Sequence, residues 1–190
     1  MKFTFEMLGE IVFQGTLECR RCTGLKADGD RCGRTTCKFL PMCFQHLRKE
    51  MGLAVKTSTI PNAGQGLFAT RAFAKDEYIA PVDGQRLTKQ QLDDRYKDPL
   101  DMVTAPYGIK ITNNEIADGA LQRWVGHFSN TRLGNQGQSV KGGTNARLSI
   151  RAGNKPWLKA IQNIQPGAEI FTFYGSDFRV NDGSYRSRTR

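Results

Sequence analysis

The chain has 190 residues, 38% of them hydrophobic and 24% charged, with 28 Lys and Arg against 18 Asp and Glu and a formal net charge of +10. That composition excludes global disorder, and no apolar run reaches the length of a membrane span. The absence of heptads and internal repeats excludes coiled coils and solenoids, and Glu6 and Glu10 interrupt the start as no secretory apolar region would be interrupted.

In chain order, residues 1–18 read as a short strand pair, Phe3 to Met7 and Ile11 to Phe13. Residues 19–50 are dense in Cys and basic side chains and poor in aliphatics. Such a segment cannot fold on apolar burial alone, so a bound metal has to supply the missing stabilisation. From Leu53 the pattern changes. A strand to Ile60 precedes the turn Pro61–Gly64, a second strand runs Gly66 to Phe73, and a third, Tyr78 to Val82, ends at Asp83-Gly84. Thr88 is placed to N-cap a short helix carrying Leu92 and Tyr96. Asn113-Asn114 and Gly153-Asn154 each sit between apolar alternations and predict two hairpins. Residues 129–143 read as a loop and Glu169 to Gly175 as a final strand. The residues from Arg179 onward read as a flexible basic tail.

All five Cys lie between Cys19 and Cys43, and His46 follows. A disulfide scaffold would spread its cysteines and prefer an even number, so clustering beside a His reads as zinc ligation in an intracellular, reducing compartment. The spacing Cys22-x9-Cys32-x10-Cys43-x2-His46 gives one complete tetrahedral set. Cys19, Cys22, Cys43 and His46 form a second set, and Cys32, Cys37, Cys43 and His46 a third. Cys19 and Cys37 therefore stand as alternates. The first set resembles a small Cys-Cys-Cys-His zinc motif with the same C-x2-H ending.

Gly64-Gln65-Gly66-Leu67-Phe68-Ala69 is by itself only a turn signal. Behind it come His127-Phe128-Ser129-Asn130, Asn145-Ala146, Ile164 to Ile170 with Gly167 and Glu169, and Phe173-Tyr174-Gly175. In that order and spacing the chain from Thr57 to Phe178 resembles the SET-domain protein-lysine methyltransferases, of the short kind met in viruses and protists. The resemblance implies a mainly β fold, β-clip-like, with several small sheets and a pseudoknot near Asn130 and Tyr174. A small zinc module would precede it. The implied organisation is an N-terminal strand segment at 1–18, the zinc module at 19–50, the SET domain at 51–178 and the tail at 179–190.

The same resemblance implies S-adenosyl-L-methionine as cofactor, held by Gly64, Gln65, Gly66, Leu67, Phe68, Asn130 and Tyr174. Glycines let the chain approach a ligand closely, and an Asn amide both donates and accepts. Tyr174 maps to the catalytic tyrosine of the closing Y-G, with Phe171, Phe173 and Phe178 as the wall that excludes water. Glu169 is expected as a structural ion-pair partner. The chain departs from the family pattern at His127 (usually Arg), Thr131 (usually His) and Ala168 (usually acidic), and it lacks cysteines after Gly175. Implied partners are a protein with an accessible lysine, a histone among the candidates, and weak nucleic-acid contact through the basic tail and zinc module. No membrane is implied, and a nuclear or virus-encoded setting fits the resemblance. A basic enzyme needs a local acidic groove for a basic tail, for which Asp93, Asp94, Asp98 and Asp101 are candidates. The rival reading is a catalytically decayed SET scaffold whose zinc module recruits nucleic acid or a protein partner.

Overall fold

The computed structural model describes residues 2–7, 10–16, 19–36, 40–96, 108–133 and 139–175. The chain opens with the antiparallel hairpin of β1 (Lys2–Met7) and β2 (Glu10–Thr16). A two-stranded ribbon of β3 (Arg20–Arg21) and β4 (Thr35–Thr36) frames the Cys-rich segment. One turn of helix, α1 (Phe44–His46), then widens into a π-helical turn over Leu47–Met51. Gly52 stops it at φ 67°, where a Cβ would stand 2.4 Å from Arg71 Cγ. This helical stretch was not expected, because its apolar residues are too few to make a periodic pattern.

The β-rich body begins at the next residue, Leu53. Its elements are β5 (Leu53–Thr57), β6 (Gln65–Ala69), β7 (Tyr78–Pro81), β8 (Gly84–Leu87), α2 (Lys89–Arg95), β9 (Gly108–Lys110), β10 (Ile116–Arg123), β11 (Arg132–Leu133), β12 (Ser139–Val140), β13 (Ala146–Arg151), β14 (Lys155–Ala160) and β15 (Glu169–Ile170). They form three three-stranded sheets, ordered β8-β10-β9, β13-β14-β7 and β15-β6-β5, and the small pair β11-β12. The mainly β class with several small sheets is as expected.

Local chemistry explains where elements begin and end. Thr88 Oγ1 accepts from Gln91 N while Gln91 Oε1 accepts from Thr88 N, a complete capping box at the start of α2. Asp118, fully buried in β10, holds the end of that helix: Arg95 Nη1 lies 2.5 Å away and Tyr96 Oη donates at 3.0 Å. Both expected hairpins form, with Gly153 and Asn154 at positive φ between β13 and β14.

Four expectations change. The third strand stops at Pro81, one residue short of Val82 and ahead of Asp83-Gly84 as expected, but Gly84 also opens a strand that was not expected, β8. The second strand stops at Ala69, where the backbone turns away after Thr70 N bonds Gly52 O. The 129–143 loop carries β11 and β12. The final strand pairs with β6 only at Glu169 and Ile170; beyond that, Phe171 and Thr172 make parallel bridges to Asn130 and Ala146. The tail from Arg179, and Phe178, lie outside the described residues.

The main core gathers Leu53, Leu67, Phe73, Ile79, Val125, Leu158 and Ile170 from the β15-β6-β5 and β13-β14-β7 sheets and their connections, with Ile109 of β9 packed against it. Leu40 and Leu47 of the Cys-rich segment belong to that same cluster. The segment is therefore welded to the body by two buried leucines, each worth about 1.5–3 kcal/mol on burial.

Candidate active site and metal cluster

Cys43 is the N-cap of α1 and His46 lies one turn later, so spacing i, i+3 puts both side chains on one helical face. The ribbon between β3 and β4 delivers Cys22 and Cys32 to the same point. The four ligand atoms of Cys22, Cys32, Cys43 and His46 all lie within 4.8 Å of one another, and all four residues are buried. His46 Nδ1 is 3.4 Å from Cys22 Sγ and 3.3 Å from Cys43 Sγ. Tetrahedral zinc with ordinary Zn–S and Zn–N bonds separates neighbouring ligand atoms by about 3.5–3.8 Å. The donor set and spacing therefore fit zinc.

The surroundings fit as well. His46 Nε2 sits 2.8 Å from Leu25 O, an arrangement that directs the ring proton outward and turns Nδ1 into the cluster. Gly24 N and Cys43 N both donate to Cys22 Sγ. Burial raises the Cys22 thiol. At Cys43 the cost of burial is outweighed by hydrogen bonds with His46 and Cys22, which leave that thiol at about 6. Cys19 is exposed, is disulfide-bonded and lies outside the cluster, which removes it from the ligand set; Cys37 lies outside the described residues.

The second site is built where the segment after β15 passes between two others. Asn145 grips that segment on both sides, donating from Nδ2 to Glu169 O at 2.8 Å and accepting at Oδ1 from Phe171 N at 2.9 Å. Ser129 Oγ donates to Ile170 O, and Thr172 N donates to Asn130 O. Tyr174 Oη donates to Ser129 O at 2.6 Å while 40% of the residue stays exposed. The crossing near Asn130 and Tyr174 is thus a set of hydrogen bonds between residues far apart in sequence.

Glu169 is not the ion-pair partner expected of it. Among the described residues no cation pairs with it. Its carboxylate accepts from Ser58 Oγ at 2.7 Å, Thr59 N at 2.7 Å, Thr59 Oγ1 at 2.6 Å and Asn130 Nδ2 at 3.2 Å. Burial pushes the carboxyl up, but the Thr59 and Ser58 bonds prevail and hold it below the usual range. Glu169 thereby ties the chain entering the Gly64 turn to the site asparagine. Ser58 and Thr59 were missed at the sequence level, since two hydroxyls ahead of a turn carry no pattern of their own.

Gly66 has a neighbour that the sequence did not indicate. A Cβ on Gly66 would lie 2.1 Å from Glu169 Oε1 and 3.3 Å from Asn130 Nδ2, so its missing side chain makes room for that carboxylate. Gly64, at φ 72°, has nothing within 4 Å of where a Cβ would stand and is the open position. Gln65 contributes its carbonyl, which accepts from Asn130 Nδ2 at 3.0 Å. Leu67 and Phe68 are buried side chains, leaving only backbone for a ligand. Asn130 Oδ1 accepts no hydrogen bond among the described residues. An amide acceptor left open beside unobstructed backbone at Gly64 is an arrangement that fits a polar ligand of the kind S-adenosylmethionine is.

The aromatic wall carries cations. Arg132 lies over the Phe171 ring at 4.1 Å and Lys141 over Phe173 at 5.6 Å. His127 turns away from the crossing: its Nε2 is 3.2 Å from Asp83 O, and its ring fills the space beside Gly119. Burial, helped by the charge of Arg123, pushes its pKa down to about 4. Asp93 and Asp94 are exposed on α2; Asp98 and Asp101 lie outside the described residues.

The family model of the SET domain matches residues 64–175, well over half of the chain. No curated protein sequence matches it. Among solved structures, polycomb repressive complex 2 of Chaetomium thermophilum is similar at 21% identity and a TM-score of 0.53, over 66% of this chain and 15% of that one. A form of the same complex in an autoinhibited conformation bound to S-adenosylmethionine matches at 18% identity and TM-score 0.55, over 67% and 16%. A third, in complex with H3K27me3 and H3K27M, matches at 21% identity and TM-score 0.54, over 66% and 15%. The chain spans about a sixth of the length of these structures, and the likeness is one of fold.

Proposed function

Because the chain belongs to the SET domain family, we propose that it is an S-adenosylmethionine-dependent protein-lysine N-methyltransferase with a structural zinc on Cys22, Cys32, Cys43 and His46. The observation that carries the reading is Tyr174, whose hydroxyl is fixed on Ser129 O at 2.6 Å, one residue from Asn130, while the ring stays open to solvent.

When bound, S-adenosylmethionine would supply an electrophilic methyl group for an unprotonated amine to attack, with the thioether S-adenosylhomocysteine as the leaving group. Asn130 and the backbone from Gly64 to Gly66 hold the cofactor end of the site, and Glu169 keeps those two parts together. Tyr174 orients the incoming amine, with its hydroxyl aimed by Ser129 rather than free to rotate. Methyl transfer is a two-reactant displacement, so orientation of this kind removes much of the barrier. The amine has to lose its proton. Arg132 and Lys141 on the aromatic wall add positive potential that disfavours a protonated lysine there. No dedicated base is then required.

The substrate class is a protein lysine. A histone tail is the first to test, since one of the similar structures holds histone peptides. The experiment pairs calorimetric binding of S-adenosylmethionine with methyl incorporation into histones and into a total protein extract. Asn130→Ala is expected to weaken cofactor binding. Tyr174→Phe should keep that binding and lower turnover by about 100-fold or more, because only an oriented hydroxyl is lost. Equal turnover in Tyr174→Phe would remove the residue from the mechanism. Absence of both cofactor binding and incorporation would favour the decayed scaffold.

A further inference from the structure

We propose that the outer face of the β13-β14-β7 sheet is a nucleic-acid contact surface that grips phosphates. The reading does not depend on the chemistry at Tyr174. In the β13-β14 hairpin, Arg147 stands opposite Lys159, Ser149 opposite Trp157 and Arg151 opposite Lys155. Directly opposed residues share a face, so these six form one surface. The alternate pairs point the other way, and their β14 members Pro156, Leu158 and Ala160 are buried. Strand β7 widens the outer face with Tyr78, the register partner of Lys159.

This face opposes like charges twice in succession, Arg147 with Lys159 and Arg151 with Lys155. Such pairs destabilise a sheet when nothing neutralises them. Among the described residues the acidic group bonded to this face is Asp76, 3.0 Å from Lys159 Nζ and mostly exposed. Arg147, Arg151 and Lys155 have no ion pair among the described residues, and an anionic partner would relieve the repulsion that remains.

The aromatic residues give the charges a fixed form. Tyr78 and Trp157 pack edge to face at 6.1 Å. The Arg151 guanidinium lies over both rings, 4.5 Å from Tyr78 and 4.9 Å from Trp157, and Lys159 Nζ lies 5.6 Å from Tyr78. Stacking pins Arg151 flat while its N–H groups remain available at an exposed position. The five residues of strand from Arg147 to Arg151 cover about 13 Å. Over that length one strand of a duplex presents about four phosphates, matching Arg147, Arg151, Lys155 and Lys159 in number. Basic side chains interleaved with half-buried aromatics suit a sugar-phosphate backbone with adjacent bases, and suit an acidic peptide less well. The face also adjoins the site, because Arg147 follows two residues after Asn145.

The test uses the full chain, a labelled 20-base-pair duplex DNA and a single-stranded RNA of equal length. Binding is followed by anisotropy between about 50 and 200 mM salt. Binding to either should weaken with salt. For the duplex, the triple variant Arg147→Ser, Arg151→Ser, Lys155→Ser should lower the slope of log K against log salt by about three and weaken binding at least tenfold. All three positions are exposed, so its melting temperature should be nearly unchanged, which separates loss of contact from loss of fold. In a Trp124→Phe background, the remaining Trp157 fluorescence should change on nucleic-acid addition. The arm that binds more tightly identifies the source of the phosphates. Four outcomes would overturn the proposal: no binding to either probe, an unchanged slope in the triple variant, a loss that follows removal of residues 179–190 instead, or polyglutamate binding this face while neither nucleic acid does.

Discussion

Among the described residues between Arg20 and Cys43 the buried side chains are three cysteines and Leu40, whereas from Leu53 onward the buried apolar ones are mainly Leu, Ile, Val, Phe and Ala drawn from several sheets. The first region closes around four ligand atoms, and the second closes around an apolar core. A region held by ligands fails all at once when the ligand atoms are separated, because few other contacts remain. An apolar core loses stability in increments, by the volume removed. The two meet at Leu40 and Leu47, which grow from the Cys-rich segment into the core of the body. That junction alters the simplest expectation for metal removal, in which the later strands stay intact.

The largest effect is expected from taking the metal away. Chelation, or Cys43→Ser, should abolish a stoichiometry of one zinc per chain and lower the melting temperature by more than about 10 °C, given the apparent free energies of structural zinc. Trp124 and Trp157 both lie in the body, so their fluorescence reports whether the loss crosses the junction. A body transition that does not move would separate the two regions.

Leu47→Ala sharpens the same point from the other side. The residue is 2% exposed, and its truncation should cost about 2–5 kcal/mol while leaving zinc content unchanged. Loss of zinc along with stability would make the junction part of the metal site.

A pH titration reaches the body through His127. The folded protein holds His127 near 4, below the usual value of about 6.5, so between these values the unfolded chain binds more protons. Stability should therefore fall as pH drops from about 6.5 towards 4, by about 1–2 kcal/mol after allowing for partial exposure. His127→Gln should lack that part of the slope, and comparing the two proteins at each pH cancels the titration of the zinc ligands. Parallel slopes would remove His127 as the cause.

The smallest effect concerns Thr172, buried at the crossing with no hydrogen-bond partner for Oγ1 among the described residues. Thr172→Val keeps the shape and removes the unsatisfied hydroxyl. It should be neutral or stabilising by less than about 1 kcal/mol in thermal unfolding. A clear loss would mean that the hydroxyl serves the site.

Much of this was legible in the sequence where the determining contacts are local. Thr88 and Gln91 define a helix start within four residues, and Gly153-Asn154 defines a hairpin because both adopt positive φ. Cys43 and His46 are neighbours on one turn, so their pairing could be read from spacing. The family pattern from Gly64 to Gly175 was likewise readable, because its motifs keep their order along the chain.

Tertiary structure decided whatever joins residues far apart. Glu169 could not be given its partners from sequence, since Ser58 and Thr59 lie 111 and 110 residues away. The need for glycine at position 66 is likewise set by a carboxylate from the other end of the domain. The last strand read as continuous to Gly175, yet Asn130, Asn145 and Ala146 capture its backbone after Ile170. An alternating apolar run specifies extended backbone but not which neighbour takes its hydrogen bonds. The charged face of β13 and β14 follows the same logic: the sequence supplied the charge, and strand register alone set Arg147 against Lys159 and Arg151 against Lys155.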